Sequence, residues 1–153
     1  TFAKHCGDGS RVWNLVPLGR SSDFGVGTDL YGGKGLFERE AIFYLLGDLY
    51  ITVEGEAEIA QDARQVHKRG AALVPLVRTG GASAGMFDFP KEALQKPKFA
   101  TEAQWSLLAS NDASVEDTAA AAAALVAKFV GPPLPSKEIP APAPAEEIPA
   151  PAP

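Results

Sequence analysis

Between Leu49 and Val77, two short runs of strand-forming residues, LYITV (Leu49–Val53) and AALVPLV (Ala71–Val77), flank a segment long enough for one helix and little else. That arrangement leaves few folds open. Two strands of one sheet joined by a helix lie parallel, because the crossover returns the chain to the starting end of the sheet. Strands of a parallel sheet are covered on both faces and read as nearly continuous apolar runs, as both of these do. RVWNLVPL, from Arg11 to Leu18, has the same character, with Pro17 suited to a strand end rather than its middle.

The intervening segments support this reading. Leu36 to Leu46 is expected to form a helix with Phe37, Ala41, Tyr44 and Leu45 on one face, ended by Gly47. Ala57 to Arg69 is expected to form a second, with Ile59, Ala63 and Val66 on its buried side. Gly19 to Gly35 reads as a long loop. The pattern predicts an α/β fold: a doubly wound, Rossmann-like parallel sheet flanked by helices, with Arg11–Leu18, Leu49–Val53 and Ala71–Val77 side by side. Two more helices follow. Thr101 to Ala109 opens with Thr-x-x-Gln, and Ser114 to Val130 opens with Ser-x-x-Asp. Val115, Ala119, Ala122, Val126 and Phe129 are the expected inward stripe of the latter. Trp13 and Trp105 are expected to pack rather than to stack on a ligand.

Gly131-Pro132-Pro133 ends the helical region, and EIPAPAPA from Glu138 returns as EIPAPAP from Glu147. Residues 1–130 are therefore expected to be one α/β domain, and 131–153 a polyproline-type tail without a core. Net charge is −5, with no basic stripe, which argues against a nucleic-acid groove. No apolar run approaches the ~20 residues of a membrane span. A single cysteine, Cys6, excludes an internal disulfide and fits a cytoplasmic or other reducing intracellular compartment. His5, Cys6 and His67 lack companions at metal-ligand spacing, so neither a metal nor a cofactor is expected.

RTGGASAGM, from Arg78 to Met86, leaves the last strand at its C-terminal end, the edge where open α/β sheets bind ligands. Arg78, Thr79, Gly80, Gly81 and Ser83 are expected to offer a cation, free N–H groups and hydroxyls to a nucleotide or phosphorylated small molecule. The segment has no Rossmann or P-loop fingerprint. GVGTDLYGGKG, from Gly25 to Gly35, is a second glycine-rich loop and carries Lys34.

The run FEREAIFYLLGDLYITVEGEAEIAQDARQVHKRGAALVPL resembles the LONELY GUY (lysine-decarboxylase-like) family of the SLOG, Rossmann-like superfamily. That family carries an Arg on a helix, then a strand, then a Pro-Gly-Gly-x-Gly-Thr-x-x-Glu loop opening the next helix. Arg39 falls at the family Arg, Gly55 at the first glycine and Asp62 at the catalytic Glu. The resemblance implies a nucleotide-binding fold, with Arg39 as substrate binder and Asp62 as catalytic acid. Glu54 stands for the Pro, Glu56 and Glu58 for two glycines, and Ile59 for the Thr. Glycines there let backbone N–H groups approach a phosphate at a helix N-terminus. A carboxylate ~4 Å from that phosphate repels it by about 4 kcal/mol at an effective dielectric constant of 20, which is roughly three decades of affinity.

The expected function is therefore a degenerate, non-catalytic nucleotide-binding-fold module, a pseudoenzyme of structural role. It would act through protein contacts, as a homo-oligomer or within a multi-protein assembly. The alternative is a nucleoside 5′-monophosphate phosphoribohydrolase, or an enzyme similar to nucleoside deoxyribosyltransferases, using Asp48 and Asp62. The family's N-terminal half has no counterpart here. The resemblance thus implies a sheet incomplete at its N-terminus, either in a fragment or completed by another chain.

Overall fold

The computed structural model describes residue 9, residues 12–23 and residues 25–131. His5, Cys6 and the proline-rich segment 132–153 lie outside the described residues. The described chain is α/β. It contains strands β1 (Trp13–Val16), β2 (Thr28–Tyr31), β3 (Leu49–Val53) and β4 (Ala72–Leu76), and helices α1 (Leu36–Leu46), α2 (Ala57–Lys68), α3 (Glu102–Leu107) and α4 (Val115–Val130).

The β3–α2–β4 unit is the parallel crossover that the sequence predicts, with Leu49 opposite Ala72 and Val53 opposite Leu76. Alternation along β4 sends its side chains to two cores. On one face Leu73 joins Ala60, Ala63 and Val66 of α2, together with Ala82, Phe89 and Ala93. On the other, Val74 packs with Ala100, Leu108, Ala121, Ala122 and Leu125, beneath α3 and α4. Both covering helices start at the expected caps. The Thr101 hydroxyl accepts from the Gln104 N–H at 3.2 Å, and the Ser114 hydroxyl from the Asp117 N–H at 3.0 Å.

The expected three-stranded sheet does not form among the described residues. β1 pairs with β2 in a separate parallel pair, Asn14 lying opposite Asp29. β2 falls inside the segment read as loop. Its second residue is an aspartate, which hides a strand from an apolar-run criterion. Asp29 is nonetheless provided for: one carboxylate oxygen accepts from the Asn14 amide at 3.2 Å and the other from the Ser22 N–H at 3.1 Å. The Ser22 hydroxyl and amide hold the Asp29 carboxyl below the usual carboxylate range, with a smaller contribution from Asn14.

Two helix faces differ from expectation. On α1, Phe37 and Leu45 point to solvent, and no residue of the helix is fully buried. Its inner side carries Ile42, which meets Gly32 after β2, and Tyr44, which reaches α2. On α4 the buried stripe is Thr118, Ala121, Ala122 and Leu125, with Val115 and Phe129 exposed. Six consecutive alanines, Ala119 to Ala124, leave the phase of that stripe undetermined by hydrophobicity. Thr118 sets it by receiving the Arg78 guanidinium at 2.6 Å. Trp105 is half-buried and donates to the Leu94 carbonyl at 3.3 Å, whereas Trp13 is exposed.

Geometry requires glycine at position 81. Gly81 has φ +57°, and a Cβ there would collide with the Gly55 carbonyl. Gly81→Ala is expected to cost about 1–3 kcal/mol from left-handed strain and displacement of the turn. Leu125→Ala, at a fully buried site, is expected to cost about 2–5 kcal/mol. Urea unfolding midpoints at constant slope measure both.

Candidate functional site

Two regions carry the residues singled out in the sequence. The first is the turn between β3 and α2. Glu54 (φ +51°) and Gly55 (φ +92°) both adopt left-handed backbone there. The glycine-rich segment after β4 folds directly onto this turn. The Ala82 N–H donates to the Gly55 carbonyl at 2.8 Å and the Ser83 N–H to the Glu54 carbonyl at 3.1 Å. The Ser83 hydroxyl, fully buried, lies 3.0 Å from the Thr52 hydroxyl and donates to the Glu54 carbonyl at 2.9 Å. Thr79 closes the arrangement: its hydroxyl accepts from the Glu54 N–H and donates to the Leu76 carbonyl, each at 2.6 Å.

These contacts correct the expectation of free donors in this segment. The N–H groups of Gly80, Ala82, Ser83, Ala84 and Gly85 all reach carbonyls of the chain itself. Arg78 is directed away from the turn. One of its guanidinium nitrogens lies 2.7 Å from the Ala113 carbonyl and 2.9 Å from that of Ser114, besides the Thr118 hydroxyl. Thr79, Ala82 and Ser83 thus fasten the β3–α2 turn, Gly81 packs against it, Gly80 bonds within its own segment, and Arg78 fastens the start of α4. A cavity of about 340 Å³ remains over the turn, lined by Glu54, Gly55, Glu56, Gly81, Met86 and Phe87. Two carboxylates and no cation line it. Glu56 also holds the N-cap position of α2 without capping it, and Glu58 lies in the first helical turn. Acidic side chains there favour the helix dipole and oppose a phosphate.

The second region brings together Arg39 and Asp62, the two residues assigned by resemblance. They line one cavity of about 310 Å³ with Leu15, Glu40 and Phe43. Arg39 stands 3.9 Å from Glu40, a loose pair on the helix surface. Asp62 is held by Tyr44, whose hydroxyl donates to one carboxylate oxygen at 2.8 Å. Among the described residues the other oxygen has no hydrogen-bond partner. Burial and the Asp62 carboxylate together push the Tyr44 phenol up to about 12. A second, smaller recess of about 120 Å³ shares Phe43 and Asp62 and continues between β3 and α2. Tyr44 is 18 residues from Asp62, and no sequence spacing links them. Asp48, by contrast, opens β3 and lies 3.9 Å from Arg69; it lines neither cavity.

Among the described residues, no group of three His, Cys, Asp or Glu side chains is placed to hold a metal ion, and no helix is long and apolar enough to cross a membrane. No family model, curated protein or solved structure matches the chain.

The Tyr44–Asp62 contact has a defined pH signature. A phenol whose folded pKa exceeds its unfolded value, about 10, contributes stability that is fully present below pH ~10. That contribution is lost as pH rises through about 12. Tyrosinate absorbance is expected to show a step near pH 12 in the parent chain that is absent in Tyr44→Phe.

Proposed function

We propose that this chain is a non-catalytic module of the LONELY GUY-like, nucleotide-binding-fold type, acting through protein contacts in a larger assembly. The observation that carries the proposal is the apolar surface formed by α1 and the free edge of β3. Phe37 is 89% exposed and Leu45 69%, while Ile51 and Val53 of β3 are 47% and 58% exposed. A parallel strand is ordinarily buried on both faces and paired on both edges; β3 pairs only with β4 among the described residues. Large apolar side chains left exposed on one helix and one neighbouring strand support an interaction surface. The turn supports the same reading, because its glycine-rich partner segment bonds to protein carbonyls and its remaining cavity is acidic.

A second reading, hydrolysis of the N-glycosidic bond of a nucleoside 5′-monophosphate, is favoured by one observation. Arg39 and Asp62 line a common cavity, as the resemblance requires. Against it stand the carboxylates where the phosphate would lie and the short Asp62 side chain. A displacement of ~1 Å at a reacting group can cost about a hundredfold in rate.

The full chain is expected to release no base from adenosine monophosphate. Glu56→Gly with Glu58→Gly is expected to raise its affinity for that nucleotide in calorimetric titration. Base release by the parent chain, abolished in Asp62→Asn, would overturn the non-catalytic reading. The exposed surface is tested separately by a solvatochromic dye such as anilinonaphthalene sulfonate. Phe37→Ser with Leu45→Ser should reduce its fluorescence while changing stability by no more than ~0.5 kcal/mol per site. An unchanged signal would sink the contact-surface assignment.

A further inference from the structure

The recess of about 120 Å³ between β3 and α2 is apolar apart from Tyr50, whose hydroxyl is engaged by Gly47 and Phe43, and two other residues. Ile51, Val53, Ile59, Val66 and Leu73 contribute to its walls, Thr52 is engaged with Ser83, and Asp62 is its one charged group. The adjoining larger cavity brings Arg39 and Glu40 close to the same carboxylate, but these two face each other at 3.9 Å. Asp62 is therefore the charge at the recess without an ionic counterpart among the described residues. Tyr44 fixes one of its oxygens and leaves the other open. An apolar slot with one oriented carboxylate in its wall is complementary to a primary ammonium on a short alkyl chain. A single benzene ring occupies an apolar cavity of about 150 Å³, so this slot suits a side chain rather than a whole nucleotide.

We infer that the recess is a lysine pocket: it takes the aliphatic stem of a lysine from a basic protein partner and seats its ammonium on Asp62. The inference rests on the protein-contact reading and specifies the partner's chemistry. The slot lies along β3, whose second edge is unpaired among the described residues. A segment laid against that edge would present alternate side chains to it. The chain carries a net charge of −5. A second copy would meet like charge, whereas a basic partner is attracted. A lysine stem buries its methylenes while keeping the head on a polar group.

The probe is n-butylamine, the lysine side-chain equivalent, titrated into the isotopically labelled full chain at neutral pH. Neutral n-butanol and anionic butyrate serve as comparators. Saturable amide shifts are expected at Ile51, Ile59 and Val66 with n-butylamine, with weaker binding of butanol and weaker still of butyrate. Asp62→Asn should weaken n-butylamine about tenfold or more, the worth of a charge-assisted hydrogen bond, and leave butanol within about twofold. Equal binding of amine and alcohol, or no saturable shift in the recess, would overturn the lysine assignment. The dye measurement on α1 would still stand, which separates the two failures. Concentration-dependent dimerisation that itself shifts the recess amides would assign the slot to a second copy and also overturn it.

Discussion

The packing of the Gly80–Ser83 segment against the Glu54–Gly55 turn governs much of this structure. The carbonyls of Glu54 and Gly55 point toward β4's exit, and each receives a backbone N–H from that segment. The contact fixes where α2 begins, because the helix starts two residues after Gly55. It also fixes Asp62, because that residue's place in the cavities follows from the direction in which α2 leaves the turn. Thr52 and Ser83 carry the same contact into the sheet through a hydroxyl pair buried from water. A glycine-rich loop at the ligand edge of an α/β sheet ordinarily suggests an anion cradle. Here two of its N–H groups, of Ala82 and Ser83, go to the neighbouring turn and those of Gly80, Ala84 and Gly85 to its own segment, and the loop is a clasp.

The sequence made the β3–α2–β4 unit legible because its signals agree. Two apolar runs, one amphipathic helix and glycines at the turns all point to a parallel crossover. The Thr101 and Ser114 caps were legible for the same reason, since a hydroxyl three residues before an amide-bearing or acidic side chain has a local physical meaning. The remainder depended on contacts that sequence spacing does not encode. β2 needs Asn14 and Ser22 to accommodate Asp29. The rotation of α4 depends on Arg78 finding Thr118, 40 residues away. The glycine-rich segment could be read as a loop, but the destination of its N–H groups could not.

The candidate site divides in the same way. Arg39 and Asp62 come from a motif and meet in one cavity. Tyr44 and Leu15, which complete the surroundings, come from a helix face and a strand with no motif of their own. α1 positions Arg39 with no fully buried residue behind it. Most of its apolar residues are exposed, so the helix is held less by burial than by a few directed contacts. Tyr50 accounts for one, donating to the Phe43 carbonyl at 2.7 Å and accepting from the Gly47 N–H at 3.0 Å. Tyr44 accounts for another.

β4 contains Pro75, buried and opposite Thr52. The Ala72 N–H donates to the Asp48 carbonyl, toward β3, so alternation turns the nitrogen of residue 75 to the outer side of β4. Proline has no hydrogen to give there, and a further strand would find its ladder interrupted. Among the described residues, the β3 margin is the one without this interruption. Filaments require a surface that adheres and an opposite surface that receives, repeated without end. A surface adhesive on one margin alone does not repeat, so the position of one imino acid makes the two margins of this strand pair inequivalent.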